Sequence, residues 1–170
     1  LKYFYRTEKN LDAAIVKTFN KWPVRGVVPY LLAGVNEYFE YKPREITVTI
    51  DDVEKIVFPD AMIFTIANLT QFGGGAKIAP RASPDDGLLE LIIALKGDIP
   101  KLVANIHRLF DGSLDKLTEL VSRQFKSLEV RRAKAGPIQI DGELVDMPAE
   151  ISIKVKHLAL NVLVPRRAAG

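Results

Sequence analysis

Glu45-Ile46-Thr47-Val48-Thr49-Ile50 alternates polar and apolar residues, the period of a strand with one buried face. Before this stretch the apolar period is helical. Leu11, Ala14, Ile15, Thr18, Phe19 and Trp22 recur at helix spacing up to Pro23. A second stripe, Val28, Leu31, Leu32, Val35 and Phe39, follows Gly26 and ends before Pro43. After it, strand signals dominate. Asp51-Asp52 reads as a turn, Lys55 to Phe58 as the partner strand, and Pro59-Asp60 as another turn. Met62 to Asn68 and Leu88 to Leu95 are apolar enough for central strands. Pro100 suits the start of a helix carrying Leu102, Val103, Ile106, Leu109 and Phe110, with Gly112 beyond its end. Residues 113–125 read as a short helix plus loop. Ser127 to Arg132, Ile138 to Asp141, Glu150 to His157 and Leu158 to Val164 have strand character.

The helices cluster and do not alternate with strands, so a parallel nucleotide-binding sheet is disfavoured. The expected fold is mainly β (α+β): one antiparallel β-sandwich with about three accessory helices. At 170 residues the chain is long enough for one domain with its own core. Its 48% apolar and 26% charged residues are those of an ordinary globular protein. With no cysteine, a disulfide framework, a thiolate zinc site and a cysteine nucleophile are all excluded. The same absence agrees with a reducing cytoplasm. Apolar runs such as Leu91 to Leu95 are too short to span a bilayer. The chain opens on Leu1, which suggests a processed or truncated product.

A net charge of +3 is too small to argue for nucleic acid, and none is expected as a partner. Lys126, Arg131, Arg132 and Lys134 are close in sequence, and Arg166-Arg167 lie near the end. They read either as a solvated strand face and tail or as a patch for anionic headgroups at a membrane surface.

Two glycine-marked segments stand out from this scaffold. Gly73-Gly74-Gly75 permits positive φ and close backbone approach, but no helix start or Lys-Ser/Thr ending follows, so a bulge or turn competes with a phosphate loop. Pro84-Asp85-Asp86-Gly87 is turn chemistry in which Asp bonds its own backbone. One Asp carboxylate, two loop carbonyls and water there could instead hold a hard cation. Asp141-Gly142-Glu143 reads as a hairpin tip. If the strand alternation persists, it instead puts Asp141 and Glu143 on one face as a carboxylate pair suited to general-base work. His107 and His157 lack clustered acids and read as structural, and Trp22 as core or interface.

In order and spacing, Ile66-Ala67-Asn68, Gly73-Gly74-Gly75, Ile78-Ala79-Pro80-Arg81-Ala82, Asp85-Asp86-Gly87-Leu88-Leu89 and Gln139-Ile140-Asp141-Gly142-Glu143 form a recognisable series. With the closing alternation Leu158 to Pro165, they resemble the C-terminal half of the bacterial diacylglycerol kinase and sphingosine kinase-like lipid kinases, within the NAD kinase/diacylglycerol kinase-like superfamily. The resemblance implies that residues 1–170 are the substrate-side β-sandwich domain of an ATP-dependent lipid kinase. The family's N-terminal ATP-binding α/β domain, with its Gly-Gly-Asp-Gly-Thr loop, has no counterpart in this sequence. Glu143 would be the proton acceptor for a lipid hydroxyl, with Asp141 alongside. Asp86, with backbone oxygens of Ser83 and Leu88, would match a structural Mg²⁺ site. ATP would be co-substrate, and a lipid at a membrane surface the partner. The isolated chain would be inactive. The competing reading is a non-catalytic lipid- or partner-binding sandwich. A NAD kinase architecture is disfavoured by the Asp-Gly-Glu ending. An unpaired strand edge would favour a homodimer.

Overall fold

The computed structural model describes residues 42, 44–71, 74–141 and 143–161, and the backbone of Tyr3–Phe4. The helical stripes expected over 11–22 and 28–39 lie outside the described residues. So do residues 162–164 of the expected closing strand.

Alternation at Ile46, Val48 and Ile50 is expressed as β2 (Arg44–Ile50), whose apolar residues are buried and whose polar residues point outward. It turns at Asp51-Asp52, both with positive φ, into β3 (Glu54–Ala67). The expected second turn at Pro59-Asp60 does not occur. Arg44 pairs with Ala61 and Ile46 with Phe58, so Pro59 and Asp60 together oppose Glu45 in a bulge. A bulge tolerates a proline that has no N–H for the ladder, and the two expected strands become one bent strand.

That bend organises the molecule. Ala61 pairs with Arg44 of β2 on one edge and Leu95 of β4 (Leu89–Leu95) on the other. Beyond the bulge, β3 continues between β4 and β1 (Tyr3–Phe4). The first half of β3 therefore leads outward through β2 to β6 (Ser127–Arg132) and β9 (Glu150–Lys154). Its second half lies in the order β5-β4-β3-β1-β7-β8, with β5 Val121–Phe125, β7 Gly136–Ile140 and β8 Glu143–Met147. All pairings among the described residues are antiparallel.

The two halves close on one core. Ile46, Val48, Leu128, Val130 and Ile151 from one side meet Phe64, Ile66, Leu91, Ile93, Phe125 and Ile138 from the other. The expected β-sandwich is thus present, with burial of this apolar surface as its main stabilising term. Alternate residues of β3 and β4 supply a second layer. Met62, Ala67, Ile92 and Ala94 pack under Ala79, Ile99, Leu102, Leu114 and Leu120.

The expected helix after Pro100 is divided. α1 (Ile99–Ala104) has proline in its first turn, as anticipated, but ends at Asn105. The Asn105 side chain donates back to the Lys101 carbonyl at 3.0 Å, an alternative to continued helix. α2 (Arg108–Asp111) then stops at Gly112, φ 82°. Two strands were not anticipated. β5 lies where a loop was expected, and its middle residues are polar or exposed. β8 has four exposed residues of five and so shows no half-buried alternation. After β9, residues 158–161 are not strand.

Candidate functional site

Antiparallel register brings both glycine-marked segments to one end of the sheet. Ala67, at the end of β3, pairs with Glu90 near the start of β4. Tyr3 pairs with both Ile66 and Ile140, which places the end of β7 and the start of β8 at that same end. The connection 68–88 and the hairpin 141–142 therefore share a rim. The β5–β6 junction joins them there. Asp51 Oδ1 accepts the backbone N–H groups of Lys126 and Ser127, each at 2.8 Å. Val155 N donates to the Lys126 carbonyl at 2.8 Å, so the segment after β9 runs along the rim as well.

The connection 68–88 is held over the second apolar layer. Ala79 N donates to the Thr70 carbonyl, and Thr70 Oγ1 to the Ala82 carbonyl. Gly74 and Gly75 have φ of 57° and 81°, a turn conformation suited to glycine. They lead into loop, not helix. Residues 83–88 form an Asx-type turn. Asp86 Oδ1 accepts the Leu88 N–H at 2.9 Å, and Ser83 Oγ donates to Asp85 Oδ1 at 2.7 Å. Gly87, φ 75°, packs against the imidazole of His157.

Among the described residues, no group of three or more His, Asp or Glu side chains is gathered for a metal. The turn is exposed, and its Asp86 carboxylate and main-chain carbonyls are hard oxygen donors, the kind a divalent cation with several bound waters would take.

Asp141 and Glu143 are not alternate residues of one strand, as the same-face expectation required. Ile140 pairs with Glu143 across a two-residue loop, and Asp141 occupies that loop at φ 47°. Asp tolerates this left-handed conformation, and the loop is the tight hairpin that Asp-Gly favours. Gly142 lies outside the described residues. Cross-strand partners share a face, so Glu143 projects on the side of Ile140, which packs against the main core. Both carboxylates are exposed at the rim.

One polar cluster was not singled out from the sequence. Glu90, the lone carboxylate in an otherwise apolar strand, has a fully buried side chain. Its Oε1 accepts from Arg81 Nε at 3.3 Å, from Arg81 Nη2 at 3.2 Å and from the Ser122 hydroxyl. Arg81 Nη2 also donates to Ser122 Oγ at 2.6 Å. Oε2 of Glu90 and the Thr65 hydroxyl on the neighbouring strand are buried without a partner among the described residues. A charged residue inside a strand of Leu, Ile and Ala was the available signal.

Among the described residues, the four basic positions near β6 differ in their surroundings. Arg132 is buried, and its guanidinium donates to the carbonyls of Gly136, Met147 and Pro148. Burial lowers its pKa. Arg131 pairs with Glu150 at 2.9 Å. Lys126 and Lys134 sit beyond opposite ends of β6. The hydroxyl and backbone N–H of Ser113 hold Asp111 below the usual carboxylate range.

Residues 8–164 match the family described as the YegS C-terminal NAD kinase beta sandwich-like domain. The chain is 31% identical over 147 residues to a diacylglycerol kinase of Mycobacterium tuberculosis, covering 86% of this chain and 46% of that protein. It is 23% identical over 145 residues to a diacylglycerol kinase of Bacillus subtilis, covering 85% and 46%. The chain thus spans about half the length of these relatives. The crystal structure of a diacylglycerol kinase from Bacillus anthracis superposes with a TM-score of 0.55 at 17% identity, covering 88% of this chain and 47% of that one. At that identity the likeness speaks to the fold.

Proposed function

The chain belongs to the YegS C-terminal NAD kinase beta sandwich-like family, and we propose that it forms the acceptor side of an ATP-dependent lipid kinase. The observation that supports this reading best is the shared rim. Two motifs more than fifty positions apart in sequence, the 83–88 turn and the Asp141-Gly142-Glu143 hairpin, are brought to the same end of one sheet.

Their roles differ. The turn precedes β4 and Glu143 opens β8, four strand spacings away in the order β4-β3-β1-β7-β8. At the usual spacing that is roughly 19 Å along the sheet. A cation at Asp86 would therefore brace the rim and not touch a hydroxyl beside Glu143. When bound, Mg²⁺ would supply a hard electrostatic cross-link between the Asp86 carboxylate and the loop carbonyls.

Glu143 is the proton acceptor in this reading. Its carboxylate is exposed at the rim, on the same face as Ile140, where an acceptor can approach, and Asp141 sits beside it in the hairpin. The lipid hydroxyl gives its proton to Glu143 as its oxygen attacks the γ-phosphorus of ATP, and the bond from that phosphorus to the bridging oxygen breaks to release ADP. Such transfer requires in-line placement of hydroxyl and phosphate, and the phosphates held firmly. Gly74-Gly75 leads into loop and offers no helix N-terminus, and in this reading the triphosphate is held by another part of the intact protein. The acceptor is membrane-borne, which places the intact protein at a bilayer surface, reached from the cytoplasm.

The test compares the 170-residue chain with the intact protein in transfer of labelled phosphate from ATP to diacylglycerol in mixed micelles. Transfer by the intact protein and none by the 170 residues is the expected result. Turnover by the 170 residues alone would contradict this division of labour.

A further inference from the structure

β4 reads Leu89-Glu90-Leu91-Ile92-Ile93-Ala94-Leu95, and its one carboxylate is buried. Burying a carboxylate is costly unless it is paired, so its partner indicates what the pairing serves. That partner, Arg81, lies two residues before Ser83, and Glu90 lies two residues after Leu88. Arg81 and Glu90 are nine positions apart and bracket the 83–88 turn.

We propose that Glu90 is a positioning residue for cation binding at this turn, acting through Arg81 as a clasp that closes the loop. The inference rests on the cation reading of Asp86 given above. Ser122 of β5 bonds both members and fixes the clasp to the sheet. Gly87 packed on His157 restrains the exposed side of the turn.

The physical reason is preorganisation. A site with one carboxylate and two carbonyls has little charge with which to offset ordering of a loop on binding. Pinning the ends of a short segment removes most of that ordering in advance. The buried carboxylate also balances the Arg81 charge, which would otherwise repel a cation nearby.

The experiment is a Mg²⁺ titration of the 170-residue chain, following the backbone amide resonances of Gly87 and Leu88. Urea unfolding in EDTA is measured in parallel. Glu90→Gln keeps the side-chain shape and removes the charge, and Arg81→Gln opens the clasp from its half-exposed side. Both variants are expected to raise the Mg²⁺ Kd about tenfold or more through lost preorganisation, with Asp86→Asn as the reference that abolishes saturable binding. A merely structural ion pair would lower the urea midpoint and leave Kd within about twofold, which overturns the proposal. Binding by Arg81→Gln as tight as the parent's would likewise overturn it, because charge balance alone would then explain Glu90. If Glu90→Gln does not fold, Arg81→Gln carries the comparison. A parent chain with no saturable response would overturn the cation reading itself, and the role of Glu90 with it. In that case a lowered urea midpoint for Glu90→Gln identifies the pair as structural.

Discussion

Gly87 combines two constraints at one position. Its φ is 75°, and an added Cβ would come within 2.9 Å of His157 Nδ1. Gly87→Ala is therefore expected to lower stability by about 2 kcal/mol, from backbone strain and displacement of the imidazole. Urea denaturation checks this, and loss below about 0.5 kcal/mol would mean the turn rearranges freely. Arg132 makes the opposite case, a charge retained inside for its hydrogen bonds. Arg132→Met fills similar space but leaves the Gly136, Met147 and Pro148 carbonyls without their donor. A loss of about 3 kcal/mol is expected in the same assay. Single-residue chemistry was partly legible. The turn residues Asp86 and Gly87 behave as their types suggest. Arg132 read as surface charge because its three acceptors lie four to sixteen positions away and meet it only in the fold. Glu90 was visible as a charge in an apolar strand, but not Arg81 as its partner.

At the scale of elements, the strands read correctly either alternate, with one wet and one dry face, or are apolar on both faces, as β4 is. β2 and β9 alternate because each lies in a single layer between core and solvent. β3 misled because Pro59-Asp60 has the composition of a turn. Only its register against β2 shows that the pair forms a bulge which lets one strand serve both halves of the sandwich. β5 and β8 carry too little buried apolar surface to declare themselves. The Asp141-Gly142 hairpin changes the chemistry most. It removes the premise of two carboxylates alternating on one strand, and leaves Glu143 alone as the first residue of β8. The general-base reading then rests on one side chain, so Asp141 is assigned a place beside the site and no share in the proton transfer.

For the whole molecule, function depends on where strands end. No local pattern indicates that residues 68–88 and 141–143 share a rim, because that follows from β1 lying between β3 and β7. The antiparallel sandwich class was legible from strand spacing and clustered helices, whereas this strand order was not. The basic residues near β6 also matter at this scale. Arg132 is inside, while Lys126, Arg131 and Lys134 are exposed, Arg131 being paired with Glu150.

The most direct measurement is the rate of phosphate transfer from ATP to diacylglycerol by the intact protein carrying Glu143→Gln, with its fold verified by circular dichroism. Removing a general base is expected to lower kcat by roughly 10²–10⁴-fold while the KM for lipid changes little. A kcat within about threefold of the parent's would contradict the assignment of Glu143 as the group that takes the proton from the lipid hydroxyl.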